Sequence, residues 1–150
     1  MKNEANKVGE VSLYYIKEKS VPTVKVTSSQ KAYEFLQSIY DERTVDYREF
    51  FYVLALNNSN EIIDYIKLSD GGITGCLVDV RLTMQMLLLK NATSFIVSHN
   101  HPSGTLKPSQ ADKDLTQKLK EAGRTLDIKL LDHVIYTPNG YFSFADESYL

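Results

Sequence analysis

The amino-acid sequence predicts an α/β (α+β) fold in which a mixed β-sheet is flanked by helices. Two observations carry this prediction. Short runs rich in β-branched and aromatic residues intermix with segments of helical apolar spacing, and neither an internal repeat nor a Pro/Gly/Ser-rich linker divides the chain. A length of 150 residues suits a single domain that buries a substantial core. We therefore expect one globular domain.

The first half of the chain predicts two short strands, a helix and a hairpin. The predicted elements are strands over 11–16 and 23–27, a helix from a cap at Ser28 or Ser29 to about Tyr40, and paired strands over 49–56 and 61–68. The polar residues 57–60 form the turn between the paired strands. Apolar residues at Ala32, Phe35, Leu36 and Ile39 give the helix one inward face.

The second half predicts two helices and three strands. The predicted elements are a helix over 80–89 capped by Asp79, a strand over 94–98, a polar loop over 99–108, a helix over 109–122 that stops at Gly123, and strands over 128–136 and 141–144. In the first of these helices Val80, Met84, Leu87 and Leu88 are expected to face the core.

Composition and charge disfavour several classes of protein. A net charge of −2 and a pI of about 5.9 give no basic footprint, so DNA as a partner is not supported by charge. Cys76 is the single cysteine, which rules out an intrachain disulfide and suits a cytoplasmic protein. We expect no signal peptide and no membrane span, because the longest apolar runs, 50–56 and 86–89, fall well short of roughly 20 residues.

The segment from Ser98 to Asp112 carries the chemistry. His99 and His101 follow an apolar strand at a spacing of two, so in extended geometry both imidazoles face one side. Pro102 disfavours a helical conformation at His101. Asp112 falls on the first turn of the next helix, where the loop can bring it back over the strand end. Two imidazoles and a carboxylate make the three-ligand set that catalytic Zn²⁺ uses, with a fourth position kept for water.

A zinc-activated water, whose pKa falls to about 7, still needs an acid/base partner. Glu49 and Glu61 each open a predicted core strand, and both are candidates. Two structural interpretations compete with the functional ones. Residues 109–112 also match a helix capping box with Asp in place of Glu/Gln. His133 could orient a metal ligand, but we favour a hydrogen-bonded histidine on a half-buried strand.

At these residues the sequence resembles a known family. His-x-His-Pro, six residues, Ser, two residues and Asp is the signature of JAMM (JAB1/MPN) metalloproteases, and the stretch HNHPSG…PSQAD is similar to the bacterial RadC family. Further matches are Arg48-Glu49-Phe50, Asn91-Ala92, Leu131-Asp132-His133 and Tyr141-Phe142-Ser143-Phe144. The resemblance covers roughly residue 34 to the C-terminus.

The resemblance implies a JAB1/MPN-like three-layer αβα fold, related to that of cytidine deaminases. It implies Zn²⁺ on His99, His101 and Asp112, Glu49 as the acid/base, and Ser109 as a hydrogen-bond donor to the oxyanion or the water. Residues 28–150 would form the RadC-type JAMM/MPN domain, and 1–27 a β-leaning N-terminal extension. That extension is too short for the helix-hairpin-helix region of typical RadC proteins. The sequence Val80-Arg81-Leu82 also departs from the family's Pro-Arg-Glu.

Four functions follow as hypotheses. The first is a zinc hydrolase of an unknown peptide or protein substrate, cleaving peptide or isopeptide bonds. The second is a DNA-repair-associated nuclease or accessory protein, and the third is a non-catalytic MPN interaction scaffold. Zinc deamination is disfavoured because its Pro-Cys-x-x-Cys motif is absent. An exposed edge strand could also pair two copies, so a homodimer stays an alternative.

Overall fold

The computed structural model describes residues 23–71 and 78–150. The predicted strand at 11–16 and Cys76 lie outside these residues. The described elements are β1 (Val24–Lys25), α1 (Ser29–Ile39), β2 (Phe50–Leu56), β3 (Glu61–Asp70), α2 (Val80–Leu89), β4 (Ser94–Asn100), α3 (Gln110–Thr125), β5 (Lys129–Thr137) and β6 (Gly140–Ser143). The intermixing of strands and helices predicted from the sequence is confirmed.

The described strands form one mixed sheet in the order β1-β3-β2-β4-β5-β6. β2 and β3 pair antiparallel as the predicted hairpin, and β2 also pairs antiparallel with β4. β4 and β5 are parallel because α3 forms the crossover between them. β4 therefore lies in the interior of the sheet, and all seven of its residues are buried.

Helices cover both faces of the sheet, which gives the three-layer αβα arrangement. On one face α1 packs Ala32, Tyr33 and Leu36 against side chains of β2, β4 and β5. On the other face Leu87 of α2 and Leu119 of α3 pack against strand residues of opposite parity. Successive residues of a strand point to opposite faces of the sheet. Alternate residues of one strand therefore contact different helices.

Local signals define the helix starts as predicted. Ser28 caps α1 by accepting a hydrogen bond from the Lys31 amide, and Asp79 caps α2 through the amides of Arg81 and Leu82. One predicted inward residue of α2 is wrong. Leu88 is 55% exposed, because the buried stripe runs through Thr83, Met84 and Leu87.

The predicted stop of α3 at Gly123 is also wrong, since the helix continues to Thr125. A Cβ at Gly123 would lie 2.3 Å from the Ile128 carbonyl oxygen and 2.9 Å from Cε1 of Phe95. Glycine is therefore required by a close approach inside the helix. The left-handed residue after the helix is Asp127, with φ 56°.

Across the two described ranges, no helix combines the length and apolar character that a membrane span requires.

Candidate metal centre

The end of β4 carries the two histidines of the predicted site. The strand extends to Asn100, two residues beyond the predicted end, so His99 is itself part of the sheet. His99 is 1% exposed and lies between Phe51 of β2 and Ile135 of β5. His101 follows directly and is partly buried. The two Nε2 atoms are 2.8 Å apart, so both imidazoles face the same side, as their spacing predicts.

A tight loop brings the carboxylate of α3 back to this strand end. Gly104, with φ 74°, donates its amide to the His101 carbonyl at 2.8 Å and turns the chain there. α3 then begins at its cap, Ser109. Asp112 lies on its first turn with Oδ1 3.1 Å from Nε2 of His99 and Oδ2 3.3 Å from Nε2 of His101. These three side chains, His99, His101 and Asp112, form the candidate metal group. They offer ligand atoms that all lie within 4.8 Å of one another.

The capping box predicted at residues 109–112 is confirmed. The Ser109 hydroxyl accepts from the Asp112 amide at 3.1 Å, and the Ser109 amide donates to Oδ2 of Asp112 at 2.7 Å. The structural interpretation of this segment as a helix cap and its functional interpretation as a ligand-bearing segment are therefore compatible. The same hydrogen bonds that start α3 fix the Asp112 carboxylate where it faces both histidines.

The pKa values at the site reflect this convergence of charges. The hydrogen bond to Asp112 raises the pKa of His101, against the lowering effect of burial. Burial alone would raise the pKa of Asp112, but its close contacts with the His101 and His99 imidazoles outweigh burial and hold this pKa well below its usual range. Asp112 is thus an ionised carboxylate at neutral pH.

Glu49 lies beside this group, immediately before β2. It is partly buried, and its carbonyl accepts from the Gly71 amide at 2.8 Å. Burial raises the pKa of its carboxyl, while the neighbouring His99 and His101 act to lower it. Phe51, two residues further on, pairs with His99, which places Glu49 at the same end of the sheet as the metal group.

Glu61, the other candidate acid/base, lies at the opposite end of the hairpin. Its carboxylate accepts from the Asn57 side chain at 2.7 Å, and its main chain pairs with Lys25 of β1. At that end β2 meets the start of β4, since Leu56 pairs with Ser94 rather than with His99. The hairpin thus separates the two glutamates and leaves Glu49 beside the histidines.

His133 is a hydrogen-bonded histidine of a strand, as preferred from the sequence, but its surroundings are buried rather than half-buried and one of its partners is the candidate ligand His99. His133 is completely buried, and its Nε2 lies 2.7 Å from Nδ1 of His99. Its Nδ1 lies 2.6 Å from the Thr116 hydroxyl of α3. Burial holds the pKa of His133 well below the usual histidine value. Sequence reasoning missed this contact because it depends on the register of the parallel pair, which sets His133 beside Val97 and one pleat from His99.

Asn100, between the two histidines, is a second residue that sequence reasoning left without a role. It is 1% exposed and, by the alternation of the strand, faces the side opposite to the imidazoles. The sequence analysis placed Asn100 in the polar loop 99–108, where an asparagine is ordinary, so the pattern gave no signal of its role; the strand in fact extends to Asn100.

The residues present fit a metal ion such as zinc. Nδ1 of His101 lies 2.7 Å from the Thr105 carbonyl oxygen, which can only accept, so this nitrogen carries the proton. Nε2 of neutral His101 then presents a lone pair toward Asp112. Two imidazole nitrogens and one carboxylate, without thiolate, form an open three-ligand set of the kind found in catalytic zinc sites.

Comparison with known proteins identifies the family to which this arrangement is similar. The family model for the RadC-like JAB domain matches residues 26–149. A UPF0758 protein of Flavobacterium johnsoniae is 52% identical over 123 residues, which cover 82% of this chain and 52% of the relative. A UPF0758 protein of Porphyromonas gingivalis is 40% identical over 126 residues, covering 83% and 54%. One of Haemophilus ducreyi is 42% identical over 102 residues, covering 68% and 46%.

The chain therefore spans about half the length of the curated relatives that it matches. The matched region includes every side chain of the metal group.

Proposed function

The chain belongs to the family of RadC-like JAB domains, and from this premise we propose that it is a zinc-dependent hydrolase that cleaves peptide or isopeptide bonds. The observation that carries the proposal is the convergence of His99, His101 and Asp112 beside a partly buried glutamate. A structural metal site would instead be closed by a fourth protein ligand. When bound, Zn²⁺ supplies Lewis acidity and makes water nucleophilic near neutral pH.

Glu49 is the acid/base in this proposal. Because burial raises the pKa of its carboxyl, Glu49 is poised closer to neutrality than an exposed glutamate. It accepts a proton from the attacking water as the new C–O bond forms. It then delivers that proton to the leaving nitrogen as the C–N bond breaks, so one carboxylate serves both halves of the reaction.

In this proposal Ser109 stabilises the tetrahedral oxyanion. Its hydroxyl accepts from the Asp112 amide, and among the described residues no acceptor for the hydroxyl proton is seen. The proton is therefore available to a substrate oxygen close to Asp112. Removal of one such donor costs roughly 10²–10³ in kcat in enzymes that use a comparable arrangement.

We further propose that the substrate is an unidentified peptide or protein and that it binds at the end of β4 that carries His99 and His101. A cytoplasmic location is part of the proposal, since a single cysteine suits a reducing compartment.

The proposal is tested by metal content and hydrolysis measured on the same preparations. We expect about one zinc per chain in the wild type and in Glu49→Gln, and loss of zinc in His101→Ala. Wild type should cleave a member of a peptide and isopeptide library, while Glu49→Gln should be slower by roughly 10²–10⁴. Glu61→Gln is the matched control, because it removes a carboxylate at the other end of the hairpin and should leave both readouts unchanged.

A wild-type protein that takes up no zinc even when zinc is added would overturn the hydrolase and favour the interaction scaffold. Zinc binding with equal hydrolysis by wild type and Glu49→Gln would retain the metal and reject Glu49 as the acid/base.

A further inference from the structure

A line of three hydrogen bonds, two of them buried and one partly buried, runs behind the metal group. Nδ1 of His99 lies 2.7 Å from Nε2 of His133, and Nδ1 of His133 lies 2.6 Å from Oγ1 of Thr116. Oγ1 of Thr116 lies 2.6 Å from the main-chain carbonyl oxygen of Asp112, one turn earlier in α3. The line thus starts at one candidate ligand, Asp112, and ends at another, His99.

The direction of each hydrogen bond follows from the carbonyl at the start. A carbonyl oxygen only accepts, so the single hydroxyl proton of Thr116 is donated to Asp112. The Thr116 oxygen can then only accept from the ring beside it. Nδ1 of His133 therefore carries a proton and donates it to Thr116.

The remaining bond depends on the charge of His133. This ring is fully buried, and Phe51 and Phe144 lie against it with ring centroids at 6.0 Å and 4.6 Å. Such apolar surroundings favour the neutral imidazole. With Nδ1 protonated, Nε2 of a neutral His133 accepts, and the donor is Nδ1 of His99. In the neutral His99 ring, Nε2 is then left with a lone pair facing His101 and Asp112.

We propose that Thr116 and His133 are positioning residues that hold His99 in its Nδ1–H tautomer, so that its Nε2 is ready to bind a cation. In water a free imidazole favours the opposite tautomer, which could not coordinate through Nε2. Thr105 performs the same task for His101 through its carbonyl. The Nε2 atoms of both rings thus direct lone pairs toward one point, and the two atoms are only 2.8 Å apart. A cation at that point would relieve the repulsion between the two lone pairs. The identity of this ion as zinc rests on the proposed function.

The tautomers can be read directly on the metal-free full chain. Long-range ¹H–¹⁵N correlation spectra at mildly alkaline pH distinguish Nδ1–H from Nε2–H rings. We expect Nδ1–H for His99 and His133 in the wild type. A proton on Nε2 of His99 would overturn the proposal whatever the protein catalyses.

The hydrogen-bonded line from Asp112 through Thr116 and His133 to His99 is called the relay here. Substitutions at Thr116 distinguish an effect of the relay on His99 from an effect of packing alone. In Thr116→Val the buried Nδ1–H of His133 loses its acceptor, so His133 shifts toward the other tautomer and forces His99 to follow. Zinc affinity, measured by chelator competition, should fall roughly 10- to 100-fold. Thr116→Ser keeps the hydroxyl and should restore both affinity and spectrum. Thr83→Val is the matched control, because Thr83 is a buried threonine of α2 that also donates to the carbonyl four residues earlier.

The outcomes distinguish a failure of this proposal from a failure of the proposed function. If Thr116→Val binds zinc as tightly as wild type, or if Thr83→Val and Thr116→Ser weaken it equally, the relay is rejected while the hydrolase stands. If the wild type shows Nδ1–H on His99 but takes up no zinc, the relay stands and the hydrolase is rejected. Weaker zinc binding in Thr116→Val alone, together with a proton moving to Nε2 of His99, supports the relay and the zinc site.

Discussion

Asn100 holds the main chain on both sides of Glu49. Its Oδ1 accepts from the Phe50 amide at 2.7 Å, and its Nδ2 donates to the Arg48 carbonyl at 2.8 Å. A further bond runs from Nδ2 to the Val45 carbonyl at 2.7 Å. Because Asn100 is the residue between the two histidines, one side chain ties the segment carrying Glu49 to the strand carrying the candidate ligands.

Replacing Asn100 should therefore detach Glu49 from the site. Asn100→Ala removes three hydrogen bonds, of which one is buried and two are partly buried. A buried polar group left unpaired costs about 1–3 kcal/mol, so we expect a loss of about 3 kcal/mol in the free energy of unfolding. Burial keeps the pKa of Glu49 raised, and this pKa should fall toward the usual glutamate value as the segment loosens. Urea unfolding and a carboxyl ¹³C titration measure the two effects.

Asn57→Ala provides the control for that substitution. Asn57 also satisfies backbone amides, those of Ser59 and Glu61, but at the far end of β2. Its loss should lower stability without moving the pKa of Glu49. Equal pKa changes in both variants would mean that Asn100 has no special link to Glu49.

Ser109→Ala should affect stability and metal binding together. The lost N-cap of α3 costs about 1 kcal/mol, and the first turn that holds Asp112 loosens. Ser28→Ala removes the equivalent cap of α1, on the other face of the sheet, and should cost a similar amount. We expect only Ser109→Ala to weaken zinc binding in a chelator titration. A matching loss in Ser28→Ala would trace the effect to general destabilisation.

Gly123→Ala should destabilise the protein although it lies within a helix. Helix propensity alone predicts that this change raises the free energy of unfolding by roughly 1 kcal/mol. The new methyl, however, would lie 2.3 Å from a backbone oxygen that cannot easily move. We expect a net loss of about 2–3 kcal/mol in urea unfolding. A stabilised variant would show that α3 and the start of β5 are not this closely packed.

Asp132 should give the protein a pH-dependent stability that Asp132→Asn lacks. Its carboxylate is 4% exposed, and burial raises its pKa although Ser143, Ala145 and His133 all donate to it. A raised pKa means that the folded state holds the proton more tightly than the unfolded state. This contribution to stability is complete below the usual carboxyl pKa and is lost as pH rises through the raised value.

In Asp132→Asn the amide oxygen keeps the two backbone donors, and Nδ2 can donate to Ser143. We expect the free energy of unfolding of the variant to rise relative to that of the wild type as pH rises from acid to neutral. Urea unfolding at both pH values measures this difference. Parallel pH profiles for the two proteins would contradict it.

The features predicted correctly from the sequence are those that local chemistry determines. The caps at Ser28 and Asp79 act within one helical turn, and the hairpin at 57–60 connects neighbouring strands. The grouping of His99 with His101 needs only the two-residue period of a strand. The position of Asp112 needs only the capping box and a short loop.

The features that were missed depend on contacts between distant segments. Gly123 resembles a helix stop until the approach of Ile128 is known, and adjacent leucines in α2 cannot be divided between core and solvent by spacing alone. His133 contacts His99 only because β4 and β5 are parallel in one register. The choice between Glu49 and Glu61 likewise depends on which end of the hairpin meets the histidines.

The candidate ligands lie close together in the sequence, whereas the proposed acid/base, Glu49, lies far from them and must be brought to them by folding. His99, His101 and Asp112 all lie within residues 99–112, whereas Glu49 joins them only when β2 pairs with β4. Closing a short loop costs little conformational entropy compared with joining distant segments. The contact of His99 with His133 needs the pairing of β4 with β5, and Glu49 needs the pairing of β2 with β4 in addition. A chain in which β2 has not yet paired would then bind the proposed ion without cleaving a substrate.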